Sequence, residues 1–405
     1  MKLWENKKSW MPIFLCWVAY TAAYLGRYSY TANVTAIMGA FGVSHGAVGL
    51  PTTLFFFAYG MGQIVNGVLC KYYNKRLVIS GALLLSAVLN LALFVGVPFW
   101  AWKYIWLLNG AAQSVLWSSL VLALSENLKT EELSKAIVIM STTVAGGTFI
   151  AYGFSAVVAT FDGYLYAFLL GAVSMIVAAV AWFCLYPTAF RGKETIHQIP
   201  QTQKAQKGKL DGALLGMVII LGVFAVANNL VKDGLTTWVP SILKESFGLP
   251  ESLSILLTLA LPVLGLLGAT LVAILKEKIR SFITLCGILF IATVICIVTV
   301  LGFMKTSAWL GVLVAFGVIS LTMHGVNNVI TGMAPLYMRD KINSGLLAGL
   351  LNGCCYVGST ISSYGLGSVA DVFGWLGVFW LLLAVCCLVA VIAVVVSLRE
   401  KQKNT

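Results

Sequence analysis

Charged residues are scarce in this chain of 405 residues. They make up 10% of it, against roughly 25% in a typical soluble domain, while 60% of the residues are hydrophobic and the mean hydropathy is +0.94. This balance excludes an ordinary soluble protein. Strict alternation of apolar and polar residues is also missing, and apolar runs this long exclude a membrane β-barrel. We therefore expect an all-α polytopic membrane protein.

Patterns for disulfides, metal ions and catalysis are missing as well. Eight of the nine cysteines fall inside apolar stretches, where cysteine is usually a small hydrophobe, and their spacing matches no metal motif. The three histidines lie far apart in sequence, and no nucleophile–base arrangement is evident. The first apolar run is too long for a cleavable signal peptide and lacks a small-residue cleavage site. We predict no metal, no cofactor and no enzymatic activity.

Twelve apolar stretches are each long enough to cross a bilayer, which takes about 20 residues. The predicted spans are 11–36, 48–70, 77–99, 103–127, 136–160, 163–187, 213–243, 253–275, 281–302, 308–334, 345–369 and 375–398. The one long polar break, residues 191–212, is rich in lysine and glutamine and has the composition of a solvated linker. It divides the chain into an N-terminal six-helix bundle (1–190) and a C-terminal six-helix bundle (213–405).

The distribution of basic residues predicts the orientation. With the N-terminus in the cytoplasm, 21 of the 26 lysines and arginines fall on the cytoplasmic side, and only Lys103, Lys244 and Lys305 fall on the opposite side. We therefore predict a bacterial-type inner (plasma) membrane protein with both termini cytoplasmic. The net charge of +12 follows from this topology, so the expected partners are membrane lipids and a small-molecule substrate, with no nucleic acid, and we expect a monomer.

The two remaining basic residues, Arg27 and Lys232, lie inside the first and seventh spans. Their surroundings are similar, since "YLGRYSYTANVTAIM" (24–38) aligns with "NLVKDGLTTWVPSIL" (229–243). Weak similarity between two six-helix halves is typical of duplicated transporters, whose binding site lies near the midplane between the repeats. The chain therefore places one cation at the same level of the first helix in each half.

A cation in the middle of a membrane helix is costly. Insertion scales give about 2.5–3.5 kcal/mol for a central arginine or lysine, so such a residue needs a partner or a water-filled cavity. Asp233 is the only acid well inside a span, and neighbours on a helix point about 100° apart, so we expect Lys232 to be unpaired. Snorkelling or a structural ion pair would explain either cation alone. Two cations at matching positions favour an anionic substrate.

Polar side chains on other spans recur at helical spacing and would line the same cavity. The candidate substrate-binding residues are Arg27, Lys232, Tyr20, Tyr24, Trp117, His324, Tyr356, Asn228, Asn328 and Gln113. For Gln63, Asn66 and Asn109, hydrogen bonds between neighbouring helices are an equally good explanation.

These residues resemble the major facilitator superfamily and, within it, the organophosphate:phosphate antiporters, which exchange sugar phosphates or glycerol phosphate for inorganic phosphate. Tyr20, Tyr24 and Arg27 are similar to a family pattern whose arginine binds phosphate. "VKDGLTTWVPSIL" (231–243) resembles the family's seventh helix, in which Lys232 occupies the position of the second phosphate-binding basic residue. The other matching segments are "GVLCKYYNKR" (67–76), "GAAQSVLW" (110–117) and "GSVADVFGWLGVF" (367–379). The resemblance implies the major facilitator fold, two pseudo-symmetric six-helix bundles.

Several positions depart from the family pattern. Lys71 stands in place of an acid in the cytoplasmic loop motif, Thr142 in place of a substrate-binding histidine, and Tyr28 in place of a lysine that often follows the first arginine. The second arginine of the family is Lys232. The resemblance places tyrosines near the substrate at the positions of Tyr356 and His324, and the histidine departs from that pattern. The implied pocket is therefore less basic than in the family.

The function predicted from the sequence is secondary active transport of small organic anions by alternating access. The resemblance implies a phosphate ester exchanged for inorganic phosphate, bound by Arg27 and Lys232. Two alternatives stay open: a carrier for carboxylates such as hexuronates, and a non-transporting sugar-phosphate sensor. A sensor would be expected to have a long cytoplasmic extension or a dedicated partner surface, and the linker 191–212 offers little of either.

Overall fold

The computed structural model describes residues 10–190, 212–279, 281–338, 342 and 344–404, and within these ranges every regular element is a helix. The α-helices are α1 (Trp10–Ala32), α2 (Val34–Phe41), α3 (His45–Leu69), α4 (Lys75–Phe94), α5 (Phe99–Asn127), α6 (Thr130–Val158), α7 (Leu165–Ala189), α8 (Gly212–Phe247), α9 (Glu251–Thr258), α10 (Ala260–Lys278), α11 (Phe282–Lys305), α12 (Trp309–Asn328), α13 (Ala334–Tyr337) and α14 (Ser344–Asn404). A π-helical turn, Val329–Met333, joins α12 to α13. Residues 191–211 of the predicted linker lie outside the described residues.

The predicted all-α membrane architecture is confirmed. Ten stretches of the described residues are long and apolar enough to cross a membrane. The last of them, Leu346–Arg399, contains both the eleventh and the twelfth predicted spans. Helix α1 is not among the ten, because it carries Arg27 and four tyrosines, which lower its mean hydropathy.

Two predicted boundaries differ in detail from the structure. The first span is interrupted at Asn33, where α1 ends and α2 begins. The eleventh and twelfth spans are joined in α14, and Gly374 separates them with φ 64° and ψ −178°. A side chain is strained at this positive φ, so glycine is the residue that lets the chain change direction there.

The helices form two compact units, which we call the N-terminal unit (Met1–Ala36 and Leu54–Thr202) and the C-terminal unit (Ile37–Thr53 and Gln203–Thr405). These units are not simply the two segments on either side of the linker, because residues 37–53 group with the C-terminal half of the chain. Helix α3 is continuous from His45 to Leu69, so it begins in one unit and continues in the other.

Glycine allows close helix contact inside each unit. In the N-terminal unit, a Cβ atom on Gly110 of α5 would lie 2.3 Å from the carbonyl oxygen of Phe55 on α3. In the C-terminal unit, a Cβ atom on Gly268 of α10 would lie 2.3 Å from the carbonyl oxygen of Leu321 on α12. These approaches bring backbones together, as small residues do in membrane helix pairs, and they fix the distances between the helices that carry the polar residues.

Candidate functional site

Arg27 is buried in the N-terminal unit, with 6% of its surface exposed. Its Nε and Nη2 atoms both donate hydrogen bonds to Oε1 of Gln113 on α5, at 3.2 and 3.1 Å. Gln113 in turn donates from Nε2 to Oδ1 of Asn109, 3.2 Å away and one turn earlier on α5. This chain of amides fixes the orientation of the guanidinium plane.

Aromatic rings surround the same guanidinium. Its central carbon lies 4.7 Å from the ring centres of Tyr24 and Phe55 and 4.4 Å from that of Tyr59. Cation–π contacts of this kind contribute about 0.5–1 kcal/mol when exposed and about 2 or more when desolvated. The rings therefore offset part of the cost of burying the charge.

The predicted residues of the first and fourth spans come together around Arg27. The ring centre of Tyr20 lies 4.9 Å from that of Tyr24 and 5.2 Å from that of Trp117. The hydroxyl groups of Tyr20 and Tyr59 are 3.0 Å apart. Thus five candidate residues from the sequence, Tyr20, Tyr24, Arg27, Gln113 and Trp117, belong to one cluster on α1 and α5.

Tyr28 and Tyr152 extend this aromatic cluster and were not predicted as site residues. Tyr28 stacks on Tyr24 with ring centres 5.8 Å apart, and Tyr152 of α6 lies 6.3 Å from Tyr28. The spacing of Tyr20, Tyr24 and Tyr28 by four residues was the available signal, since it continues one face of α1. For Asn66 the sequence also allowed a purely structural role. Asn66 donates to Ser114 at 2.9 Å and so links α3 to α5, which supports that role.

Lys232 lies in the C-terminal unit, and the expectation that it has no acidic partner is wrong. Its Nζ atom is 3.5 Å from Oδ1 of Asp233, and the two side chains are only 16% and 18% exposed. The prediction rested on the 100° angle between neighbouring residues on a helix and treated both side chains as rigid. The long lysine chain bends along the helix surface and reaches the neighbouring carboxylate.

Asp233 is held from the other side by two polar residues that also link helices. Its Oδ2 atom accepts hydrogen bonds from Oγ of Ser359 on α14 and from Nδ2 of Asn229, the latter at 3.3 Å. Asn229 also donates to Ser359 at 3.0 Å. Asn229 and Asp233 were not predicted as site residues, although their spacing of four residues on α8 was a usable signal.

The other candidates of the C-terminal unit make contacts with their own helices. His324 places Nδ1 2.9 Å from the carbonyl oxygen of Ser320, so Nδ1 carries the proton in this contact. Asn228 is fully buried and donates to Asn229 at 3.0 Å. The carbonyl oxygen of Tyr356 accepts from Thr360, one turn later on α14. None of these contacts involves Lys232.

Asn328 is the last residue of α12, directly before the π-helical turn. A Cβ atom on Gly332 would lie 2.9 Å from its Oδ1 atom. A π-helical turn widens the backbone, and such turns occur often at functional sites in membrane and soluble helices. Asn328 is therefore placed where the α12 backbone departs from regular geometry.

Comparison with known proteins gives one family match that covers most of the chain. Residues 16–362 match the model described as Major Facilitator Superfamily. The crystal structure of the D-xylose-proton symporter superposes with a TM-score of 0.73 over 95% of this chain and 97% of that one, at 13% sequence identity. The TM-score shows that the two chains share a fold, and at this identity the comparison shows the fold alone.

Two curated relatives are similar over very different lengths. The membrane sensor protein UhpC of Escherichia coli (strain K12) is 30% identical over 107 residues, which are 26% of this chain and 24% of that protein. The chain therefore matches about a quarter of the length of this relative. Sugar phosphate exchanger 3 of Homo sapiens is 20% identical over 399 residues, covering 86% of this chain and 80% of that protein.

Proposed function

Because this chain belongs to the Major Facilitator Superfamily, we propose that it is a secondary active transporter that exchanges a small phosphate ester for inorganic phosphate. Its transported substrate is a small organic anion, bound by Arg27 and Lys232 during alternating access. The observation that carries the proposal is the burial of Arg27 within α1, where Gln113 orients it. The similarity to a sugar phosphate exchanger supports the choice of a phosphate ester.

Arg27 suits this role for chemical reasons. A guanidinium group is planar, always charged, and binds two oxygen atoms of a phosphate or carboxylate in parallel. Gln113 uses Nε and Nη2 of the group and so fixes the plane in which an oxyanion approaches. The surrounding rings exclude water, and charges attract more strongly where the local dielectric constant is low.

Lys232 works differently, because Asp233 already neutralises it. A substrate anion has to compete with the carboxylate for the ammonium group. When the anion leaves, the Lys232–Asp233 pair re-forms and lowers the cost of the empty site. Asp233 therefore acts as an internal counter-ion that sets how tightly the anion is held.

Asp233→Asn is expected to retain anion exchange and to strengthen anion binding. A partly exposed ion pair contributes about 0.2–1 kcal/mol, so the concentration of anion at half-maximal uptake is expected to fall by up to about fivefold. Uptake by reconstituted vesicles, measured against substrate concentration, gives this value. Complete loss of exchange by a folded variant would show instead that Asp233 carries coupled protons or is required to hold Lys232.

Ser359→Ala is the matched control for this variant. It removes one hydrogen bond from Asp233 but keeps its charge. The anion concentration at half-maximal uptake is therefore expected to change less in Ser359→Ala than in Asp233→Asn. An equal change in both variants would assign the effect to the hydrogen-bond network and not to the charge.

The anionic group of the substrate distinguishes the main proposal, a phosphate ester, from the alternative of a carboxylate carrier such as a hexuronate transporter. A thermal-shift screen of the purified protein with phosphate esters, inorganic phosphate and uronates distinguishes them. We expect stabilisation by a phosphate ester and by inorganic phosphate, in proportion to the logarithm of ligand concentration above the dissociation constant. Stabilisation by uronates alone would favour the carboxylate carrier.

A sensor function is the second candidate, favoured by the 107-residue match to UhpC. A sensor would bind the phosphate ester in the thermal-shift screen but would not carry it across the membrane. Vesicles preloaded with inorganic phosphate and supplied with a labelled ester separate the two functions. Binding without uptake would overturn the transporter proposal and support the sensor.

The proposed orientation places the linker and both termini in the cytoplasm of a bacterial-type inner membrane, with the protein acting as a monomer. A cysteine introduced at Gln203, in a variant without the native cysteines, is expected to react with an impermeant thiol reagent only from the cytoplasmic side. Inside-out and right-side-out vesicles give the two measurements. Reaction from the outside in sealed right-side-out vesicles would overturn the orientation.

A further inference from the structure

The start of helix α3 is fastened to α14 by Asp371. One carboxylate oxygen accepts the backbone N–H of His45 at 2.9 Å, and the other accepts that of Gly46 at 2.8 Å. A carboxylate at a helix N-terminus satisfies amides that lack an intrahelical partner and favourably meets the helix dipole. The cap is supplied from 326 residues away in sequence and adds to the local one, in which Ser44 accepts the backbone N–H of Ala47 at 3.3 Å.

The imidazole ring of His45 bridges two carboxylates. Its Nδ1 atom lies 2.8 Å from Oδ1 of Asp371, and its Nε2 atom lies 2.9 Å from Oε2 of Glu245 on α8. An ionised carboxylate only accepts hydrogen bonds, and a neutral imidazole has one N–H to donate. Both contacts are satisfied together only when both ring nitrogens carry a proton, so this arrangement favours the imidazolium form.

The surroundings of the ring strengthen this preference. Trp238 and Trp375 pack edge-on against it with ring centres 5.7 and 5.1 Å away, and both are nearly buried. Trp375 also donates from Nε1 to Oε2 of Glu245 at 2.9 Å, which fixes that carboxylate beside His45. The His45 side chain is 17% exposed and those of Glu245 and Asp371 are 33% and 25% exposed, so the rings cover the imidazole more than the two carboxylates.

The charged groups that face His45 are few among the described residues. Glu245 approaches from α8 and Asp371 from α14. Lys244, next to Glu245 in sequence, points its ammonium group to Glu251, 2.7 Å away. The local balance is therefore one imidazolium against two carboxylates, and loss of the proton leaves two negative charges beside an imidazole that can satisfy one of them.

Helix α3 runs without interruption from this cluster into the N-terminal unit. Residues up to Thr53 group with the C-terminal unit and residues from Leu54 onward with the N-terminal unit, without a break in the helix. In carriers of this superfamily the two halves rock against each other during transport. The first turns of α3 leave Glu245 and Asp371 in any state in which they move together with the rest of the helix.

We propose that His45, Glu245 and Asp371 form a proton-binding site that holds the start of α3 on α8 and α14 while His45 is protonated and releases it when the proton leaves. The site lies on the predicted outer face, away from Arg27 and Lys232 in sequence, and takes a proton as its ligand. It makes the conformational equilibrium depend on external pH, whatever anion is transported.

The sign of the dependence follows from linkage. A histidine in water is half protonated at about pH 6.5. The attached state binds the proton more tightly than the released state, so proton binding and attachment favour each other by the same factor. Attachment is therefore complete in mildly acidic medium and weakens as the pH rises through the titration of His45.

Ser363 provides a direct reporter of release. It is fully buried, and a Cβ atom on Gly49 of α3 would lie 2.5 Å from its carbonyl oxygen. Ser363→Cys, in a variant without the native cysteines, is expected to be shielded while α3 is attached. Because thiol reactivity itself rises with pH, its labelling is divided by that of Val95→Cys, at a residue that is 73% exposed in the turn after α4.

The experiment measures labelling by an impermeant maleimide from outside right-side-out vesicles between pH 5.5 and 8, without substrate. We expect the Ser363→Cys to Val95→Cys ratio to rise several-fold across this range. With His45→Asn added, the ratio should be high throughout, and with His45→Arg, which keeps a positive charge, it should stay low. A flat ratio in the parent, or the same rise with His45→Asn, would overturn the proposal.

Asp371→Asn covers the case in which His45→Asn fails to fold. It keeps an oxygen to cap α3 but removes one negative charge from His45, so the pH of half-maximal labelling is expected to fall. An unchanged half-maximal pH in folded Asp371→Asn would contradict the proposed site. Since the labelling needs no anion, its outcome is independent of the proposed anion exchange.

Discussion

Arg27→Ala is expected to abolish anion exchange in reconstituted vesicles while the protein remains folded and inserted. Truncating one partner of a buried, charge-assisted contact costs about 2–5 kcal/mol, which corresponds to a loss of roughly 30-fold to several thousand-fold in affinity. The side chain is 6% exposed and oriented by Gln113, so the substitution removes a desolvated and oriented charge.

Two further variants separate charge from geometry at this site. Arg27→Lys keeps the charge but cannot donate to Gln113 from Nε and Nη2, so we expect partial loss. Gln113→Leu keeps the arginine and removes its orienting partner, so the affinity for the anion should fall while Arg27 still provides attraction. Because Gln113 also bonds Asn109, Asn109→Ala is expected to give a smaller effect of the same kind.

Arg399→Ala is the control for loss of a positive charge, since Arg399 lies exposed near the end of α14. It should transport as the parent does. Normal exchange by Arg27→Ala would refute the role assigned to this residue. A loss of exchange shared by Arg399→Ala would point to a general effect of net charge or insertion.

Lys232→Gln is expected to cause the second large loss of uptake. The substitution removes the cation and leaves Asp233 as a carboxylate without it, so an approaching anion meets a negative charge. Breaking a buried ion pair by removing one partner costs about 3–5 kcal/mol in fully buried cases, and the partial exposure of this pair places the effect below that range. Lys232→Arg keeps the charge and should retain part of the activity.

The double variant Lys232→Gln/Asp233→Asn tests this explanation. It removes both charges, so it is expected to recover part of the uptake lost in Lys232→Gln alone. The parent, Lys232→Gln, Asp233→Asn and the double variant form a double-mutant cycle, whose coupling energy measures the interaction between the two side chains. No recovery, with both variants folded, would show that the lost activity comes from the lysine cation and not from an uncompensated Asp233.

Exchange itself is measured by comparing preloaded and unloaded vesicles. We expect fast uptake only with a transported anion inside, because a bound anion stabilises the closed carrier through its differential affinity for that state. The Lys232–Asp233 pair reduces the penalty for the empty carrier, so Asp233→Asn should make uptake depend more strongly on preloading. Equal uptake by loaded and unloaded vesicles would argue against an obligatory exchanger.

Much of the helical architecture was accessible from hydropathy alone, because each span needs a long apolar run in a solvent without hydrogen-bonding partners. The face of α1 was accessible too, since Tyr20, Tyr24 and Arg27 follow helical spacing and do lie together. The sequence also placed the boundary between the eleventh and twelfth spans within a few residues of Gly374, where the structure has helical turns on both sides.

Other features depend on side-chain flexibility or on distant parts of the chain. The Lys232–Asp233 contact was missed because a helical projection gives directions from the axis and not the reach of a long side chain. The grouping of residues 37–53 with the C-terminal unit cannot be read from hydropathy, which reports on membrane insertion and not on which helix ends meet. The role of His45 depends on acids 200 and 326 residues later, which no local pattern connects to it.

That separation in sequence has a consequence for biosynthesis. A ribosome adds about 5–20 residues per second, so Asp371 follows His45 by about 15 to 65 s of translation. During this interval the start of α3 has inserted without the carboxylate that caps it and without the acids that accept from its imidazole. A fragment ending at the linker would never gain these carboxylates and would keep only the cap from Ser44 at this helix end, so the N-terminal half produced alone should be a substrate for membrane chaperones and proteases.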